Sequence, residues 1–369
     1  DAFRMLGTPA ARDFVLPAST HAAQFLRKIT FRDSVGSTLD IGTGCGVHAL
    51  LAARHSEHVI ATDISESALR YTAFNAALNG IENVECRAGD LFEPVAGESF
   101  DLILSNPPFV IGPGGEYTYR DSPLELDGFC AALASTALAH LNEGGHLQML
   151  SEWAGIDGED WRERVTGWVG NSGCDTWILH TGSLPAAEYV RRRRSDISGP
   201  NEAGAATDWL DYLADRNVNS IVAGVITLRK RSGGNWQQTL SISGGIEESA
   251  SFALRRCFDA QDFLELCSDD ASLLEAVLQI SPKIATEPRT DSGSGQPTSV
   301  LVRRGDGLPV IAELDLAVMV FLQQLDGQRS LSEAISRFAQ LTETDVKNVQ
   351  SELVAAARLF ITQGFVEPV

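Results

Sequence analysis

The residues best suited to chemistry are Asn106-Pro107-Pro108-Phe109, which follow the apolar run Leu102-Ile103-Leu104 after Ser105. A nitrogen conjugated to a carbonyl or an aromatic ring is a poor nucleophile, because its lone pair is delocalised. An asparagine side-chain oxygen and a prolyl carbonyl can each accept one N–H of a planar NH2 group. Held that way, the nitrogen is aligned and pyramidalised, and the positive charge developing on it is drawn off in the transition state. Asn106, Pro107 and Phe109 are therefore the candidate catalytic residues, the ring being able to stack on a flat acceptor. Two prolines stiffen the loop, so the oxygens are ordered before the reaction begins. Pro108, Tyr119 and Arg120 complete the acceptor side; Tyr119 and Arg120 either close over the acceptor or only pack the loop. No general base is needed if the nitrogen sheds its proton after attack. Taken alone, the four residues also read as a proline-rich turn closing a strand.

The upstream sequence offers a place for an activated group donor. Leu39-Asp40-Ile41-Gly42-Thr43-Gly44-Cys45-Gly46 sets three glycines at alternate positions between a strand-like and a helix-like run. Glycine lets the chain turn sharply and lets a ligand approach the backbone with no Cβ in the way. A dinucleotide loop has the spacing GxGxxG; this one is GxGxG, with an acid two residues before the first glycine. S-adenosylmethionine carries a sulfonium, an amino acid and an adenosine but no pyrophosphate, which suits the difference. Asp40 can hold its ammonium group, directly or through water, beside the turn made by Gly42, Thr43, Gly44 and Gly46. Asp63, with Ile64 beside it, ends the next strand, where an acid can accept hydrogen bonds from both ribose hydroxyls. Asp90 follows the third strand and can accept from the adenine amine, with Leu91 and Phe92 bordering the base. Each acid alone also reads as a cap or turn residue. Three of them after three successive strands point to one cofactor site.

The elements that must position these residues alternate regularly. Strands are expected at 37–41, 59–62, 84–86, 102–104, 147–150, 176–179 and 220–228, the last of an antiparallel-edge sort. Helices fall between them, including one capped by Ser65 and an alanine-rich one over 127–141. This is the pattern of an α/β fold: a Rossmann-like, doubly wound, mostly parallel seven-stranded sheet. Residues 1–36 form a lead-in, 37–232 the cofactor-binding domain, and 233–299 an irregular connection. Within that connection 284–299, rich in Ser, Gly, Pro and Thr, is the clearest linker. Residues 300–369 form a small C-terminal domain with helices near 330–340 and 344–362.

The stretch from Asp40-Ile41-Gly42-Thr43-Gly44 through Asp63, Gly89-Asp90-Leu91-Phe92-Glu93-Pro94 and Asn106-Pro107-Pro108-Phe109 resembles the HemK/PrmC-type class I methyltransferases. The resemblance covers roughly residues 36–152. It implies S-adenosylmethionine as cofactor and methylation of a glutamine side-chain amide, as members do on translation release factors. Related NPPF/NPPY enzymes methylate exocyclic amines of RNA or DNA bases, so the motif defines the chemistry better than the acceptor. Tyr117-Thr118-Tyr119-Arg120-Asp121, with Trp153, Trp161 and Trp168, resembles an actinobacterial HemK-like branch. The C-terminal piece is faintly similar to winged-helix and peptide-binding PqqD-like modules; it reads equally as a small packing domain.

Composition narrows the acceptor. The formal charge is −20, with 44% hydrophobic and 21% charged residues. So acidic a surface repels a phosphate backbone unless a basic patch is set apart. Arg191-Arg192-Arg193-Arg194 is the one candidate patch, either a solvated run or a handhold for an anionic substrate. The expected acceptor is therefore a glutamine- or asparagine-type amide of a protein or peptide. An RNA base amine or a small biosynthetic molecule is the alternative, and no DNA is expected. A non-catalytic binding protein on this fold is disfavoured by the intact acids and NPPF. No apolar run approaches membrane-spanning length. The six cysteines lack CxxC pairs and the seven histidines lack an HExxH pattern, so no metal site is expected and a cytoplasmic setting is.

Overall fold

The computed structural model describes residues 14–114, 120–121, 124–170, 173–193, 202–290 and 295–369, with only the backbone at 202 and 203. Two compact units are present, residues 1–241 and 242–369.

In the first unit α1 (His21–Ile29) precedes β1 (Val35–Ile41), α2 (Val47–Ala52), β2 (Ser56–Asp63), α3 (Glu66–Leu78), β3 (Val84–Ala88) and β4 (Phe100–Ser105). Then come α4 (Gly128–Ala137), β5 (Leu141–Ile156), α5 (Trp161–Gly167), β6 (Cys174–Pro185), α6 (Ala186–Arg192), α7 (Glu202–Ala214), β7 (Val218–Lys230) and β8 (Gln237–Ser241). The sheet order is β3-β2-β1-β4-β5-β7-β6-β8. β3, β2, β1, β4 and β5 run parallel, while β7 runs antiparallel between β5 and β6.

The sheet thus has eight strands where seven were expected. The added strand, β8, lies parallel to β6 at the sheet's end. It went unrecognised because Gln237-Gln238-Thr239-Leu240-Ser241 is largely polar, and only Leu240 is buried. β7 is antiparallel as expected but internal rather than at an edge, which explains why it is apolar along most of its length.

The central strands carry apolar runs because both faces are covered. Leu39, Ile41, Ile60 and Ile103 point to the face packed by α4. Val59, Ala61, Leu102 and Leu104 point to the face packed by Ala49 and Ala52 of α2. Each large apolar side chain so buried contributes about 1.5–3 kcal/mol. Ser65 caps α3 as expected, accepting from the Ala68 amide at 3.3 Å.

Residues 14–36 of the lead-in hold a helix, α1, and are fastened to the sheet. Thr20 caps α1, and the buried Gln148 of β5 holds the segment at two points. Its side chain accepts from Phe31 N at 2.8 Å and donates to Ile29 O at 2.9 Å.

The second unit contains α8 (Ala250–Leu266), α9 (Asp270–Glu275), β9 (Val277–Ile280), β10 (Ile284–Thr290), β11 (Pro297–Arg304), β12 (Ile311–Asp315), α10 (Leu316–Leu322), β13 (Asp326–Ser330), α11 (Leu331–Leu341), α12 (Val346–Gln363) and β14 (Val366–Pro368). It has two three-stranded sheets, ordered β10-β11-β12 and β13-β9-β14. The expected linker at 284–299 instead supplies β10 and the start of β11, paired antiparallel. Almost every residue of β10 is exposed, so it shows no apolar alternation and its one proline, Pro288, is tolerated at an edge. Residues 242–283, assigned to the irregular connection, hold α8, α9 and β9. No described helix is long and apolar enough to cross a membrane.

Candidate functional site

The register brings the candidate loops together. Ile41 lies opposite Thr62 on one side and Ser105 on the other, and Asp63 lies opposite Ala88. Neighbouring strands are about 4.8 Å apart, so the loops leaving β1, β2, β3 and β4 share one rim. Hydrogen bonds tie them: Gly42 N and Thr43 N to Thr62 O at 2.9 Å, Gly89 N to Asp63 O at 3.2 Å, and Ser105 Oγ to Ile41 O at 3.0 Å.

A single cavity of about 340 Å³ opens there. Its wall includes Gly42, Thr43, Gly44, Asp63, Ile64, Asp90 and Leu91 from the cofactor set, and Asn106, Pro107 and Pro108 from the acceptor set. The volume lies within the range of small-molecule sites.

The glycine loop is open toward it. Gly42 and Gly44 have φ of +69° and +58°, and a Cβ on either would meet nothing within 4 Å. Gly46, with φ +83°, is the tight one: a Cβ there would lie 2.8–2.9 Å from Leu50 and Thr72. Gly46 does not line the cavity; it closes the turn into α2. From α3, Thr72 Oγ1 donates to Gly44 O at 3.1 Å and Asn75 Nδ2 to Cys45 O at 2.8 Å.

Asp63 bridges two loops. Its Oδ2 accepts from Gly44 N at 2.9 Å and its Oδ1 from Ser65 N at 2.8 Å, and burial raises its carboxyl pKa. Asp40 is 1% exposed and sits behind the loop rather than in the cavity wall. Its Oδ2 accepts from Thr43 Oγ1 at 2.7 Å and Ala49 N at 3.0 Å, whereas its buried Oδ1 has no partner. Burial pushes this carboxyl up to about 6, against the lowering effect of the two hydrogen bonds. Its evident work is to shape the loop.

Two aromatic residues take other places than their spacing suggests. Phe92 is buried in the core and stacks on His140 with ring centroids 4.5 Å apart; it is not in the wall. Phe109 packs between two core clusters, away from the wall. Both follow turns, where side-chain direction cannot be read from alternation. Arg120 is buried, pairs with Asp121 at 2.5 Å and stands 5.9 Å from the Trp209 ring centre, outside the wall. Tyr119 lies outside the described residues.

Several wall residues were not among the sequence candidates. Val15, Leu16, Pro17, Thr20 and Ala23 close one side, from the segment that Gln148 fastens. Their apolar character carried no motif. His48 also lines the cavity, its pKa lowered by burial to about 4. Asp121 is a third wall carboxylate, its side chain 5% exposed. Its place beside the strand-end loop follows from the bridge pairing Val110 with Asp121, a contact invisible in spacing.

Among the described residues the wall thus holds Asp63 and Asp90, along with Asp121 already paired to Arg120, and neither lysine nor arginine. That lining opposes a pyrophosphate and suits a ligand bearing a sulfonium and an ammonium. The open backbone at Gly42 and Gly44 leaves room for it.

Comparison with known proteins agrees. Residues 20–153 match the model of the methyltransferase small domain. These residues are similar to class I methyltransferases of the HemK-like group. S-adenosylmethionine is the cofactor of that family. The domain is 40% identical over 126 residues to a release factor glutamine methyltransferase of Xylella fastidiosa, covering 31% of this chain and 46% of that protein. It is 37% identical over 118 residues to ribosomal RNA small subunit methyltransferase C of Escherichia coli, covering 31% of each. The chain therefore spans less than half the length of these relatives. An rRNA methylase structure from Streptococcus thermophilus aligns over 57% of this chain and 93% of its own, at 17% identity and a TM-score of 0.32.

Proposed function

We propose that the protein transfers a methyl group from S-adenosylmethionine to a planar nitrogen, most plainly a glutamine- or asparagine-type side-chain amide of a protein or peptide. One observation carries this reading: the Asn106-Pro107-Pro108 loop and the Asp63 and glycine loops line the same cavity. When bound, the cofactor supplies a methyl activated by its cationic sulfur. Gly42, Gly44, Asp63 and Asp90 would hold it, with Ile64 and Leu91 against the base. The Asn106 side-chain oxygen and the Pro107 carbonyl accept the two N–H groups of the acceptor. They turn its lone pair toward the methyl and offset the charge that grows on nitrogen. The nitrogen's proton leaves to solvent afterwards.

The arginine run supports a protein acceptor over a nucleic acid. Arg191 and Arg192 share the single carboxylate of Glu188, and Arg193 pairs with Glu152, so two of these three positive charges are offset by carboxylates; Arg194 lies outside the described residues. The similarity to a release factor glutamine methyltransferase points the same way. The second reading, an RNA base amine, is favoured by the similarity to an rRNA methyltransferase. All six cysteines are free thiols, in keeping with a cytoplasmic setting.

The deciding experiment incubates the protein and its Asn106→Ala variant with methyl-labelled S-adenosylmethionine and, separately, purified bacterial release factor and ribosomal RNA. Label on a glutamine of the release factor, absent with the variant, is the expected outcome. Label in RNA alone would defeat the amide assignment.

A further inference from the structure

Ile111, which follows the Asn106-Pro107-Pro108-Phe109 motif, and Leu126, which precedes α4, each donate a backbone amide to a tyrosine of the two helices inserted between β6 and β7. We infer that Tyr189, on α6, is a positioning residue for this acceptor loop: its phenol oxygen fastens the Ile111 amide and thereby sets where the Asn106 and Pro107 oxygens stand. The catalytic consequence rests on the function proposed above; the anchoring itself does not.

Ile111 N donates to Tyr189 Oη at 3.1 Å, and both residues are buried. The phenol's own proton is committed elsewhere, donated to Glu152 Oε2 at 2.7 Å. Its lone pairs are therefore oriented toward the Ile111 amide. Glu152 is held in turn by Arg193 Nη2 at 2.7 Å, and that guanidinium stands 5.2 Å from the Tyr189 ring centre. The strut is thus a chain of directed hydrogen bonds rather than a loose contact. Its members polarise one another in a buried setting.

The next residue makes the seating tight. A Cβ on Gly112 would lie 2.8 Å from Trp209, so the backbone rests directly on that indole. Further along, Leu126 N donates to Tyr212 Oη of α7 at 3.1 Å, and Leu126 has a φ of +49°. At the other end of the loop, Ser105 is tied to Ile41. Between the Ser105 and Ile111 anchors stand Pro107 and Pro108, which leave little slack to absorb a shift. Displacement of about 1 Å at a reacting group costs on the order of 100-fold in rate.

Tyr189→Phe keeps the ring and deletes only the phenol oxygen, so it tests the strut with the packing retained. Hydrogen exchange at the Ile111 amide, S-adenosylmethionine affinity and steady-state methylation of purified release factor are measured on wild type and variant. The expected result is Ile111 exchange at least tenfold faster, a kcat about tenfold lower, and unchanged cofactor affinity and acceptor KM. A variant whose Ile111 exchange matches wild type, or whose kcat is unchanged despite faster exchange, would overturn the inference. A fall in cofactor affinity equal to the fall in kcat would overturn it too, since that is what general destabilisation gives. If wild type itself methylates no release factor, the proposed acceptor fails, and exchange at Ile111 alone decides the anchoring.

Discussion

Replacing Asp40 by asparagine should stabilise the ligand-free protein at neutral pH. Asp40 is almost fully buried, and its carboxyl is pushed from an ordinary 3.8 to about 6. Converted at about 1.4 kcal/mol per tenfold in proton affinity, that rise corresponds to about 3 kcal/mol. Between pH 3.8 and 6 the folded protein holds a proton on Asp40 that the unfolded chain has released, so stability falls as pH rises through this window. The stabilisation is fully present below the unfolded value and gone above the folded one. Asparagine keeps an oxygen for Thr43 and Ala49 and never ionises. The variant should therefore match wild type near pH 4 and exceed it by up to about 3 kcal/mol at pH 7.5. Urea unfolding followed by tryptophan fluorescence reads the correct unit, because all six tryptophans lie between Trp153 and Trp236. A gap of that size moves the midpoint by roughly 1 M. Cofactor affinity should move the other way, since the variant loses a negative charge behind the loop that receives a cation. A stability gap that is equal at both pH values, or a variant less stable than wild type at pH 7.5, would refute this account of the buried acid.

Other substitutions separate the parts of the site. Asp63→Ala removes the acceptor of the Gly44 amide and of the proposed ribose contacts, and calorimetric titration should show cofactor affinity about 10- to 100-fold weaker. Asn106→Ala should cut turnover by roughly 100- to 1000-fold while leaving cofactor affinity nearly intact, the signature of a group acting only in the transition state. Gly46→Ala meets both a left-handed φ and contacts under 3 Å, so the same urea titration should show a loss of about 1–3 kcal/mol. Replacing both Arg191 and Arg192 by alanine should leave turnover on a protein acceptor unchanged, because both are engaged by Glu188 on their own helix; a large loss would reveal an anion handhold.

The part of the fold most legible in sequence is the run from β1 to β5, where apolar stretches such as Val59-Ile60-Ala61 and Leu102-Ile103-Leu104 are buried and Asn79-Gly80 ends α3. The site was legible wherever a motif follows such a strand: the Gly42–Gly46 turn, Asp63, Asp90 and Asn106 all lie at strand ends that register brings together. Side-chain direction beyond a strand end was not legible, which is why Phe92 and Phe109 turn into the core. Position behind or before a loop was equally hidden, and Asp40 proves to be a buried brace of the turn. Contacts between distant segments left no local signal: Gln148 fastening the lead-in, Asp121 beside Val110, and Tyr189 beneath Ile111. Exposed edge strands were missed because β8 and β10 have little to bury, and a polar strand reads like a linker.

The most direct test of the account is a crystal structure of the protein with S-adenosylmethionine bound. The account predicts the ribose hydroxyls on Asp63, the adenosine beside Leu91, and the sulfonium methyl directed at the space in front of the Asn106 side-chain oxygen. A cofactor bound outside this cavity, or one inside it with its sulfur turned away from Asn106, would contradict it.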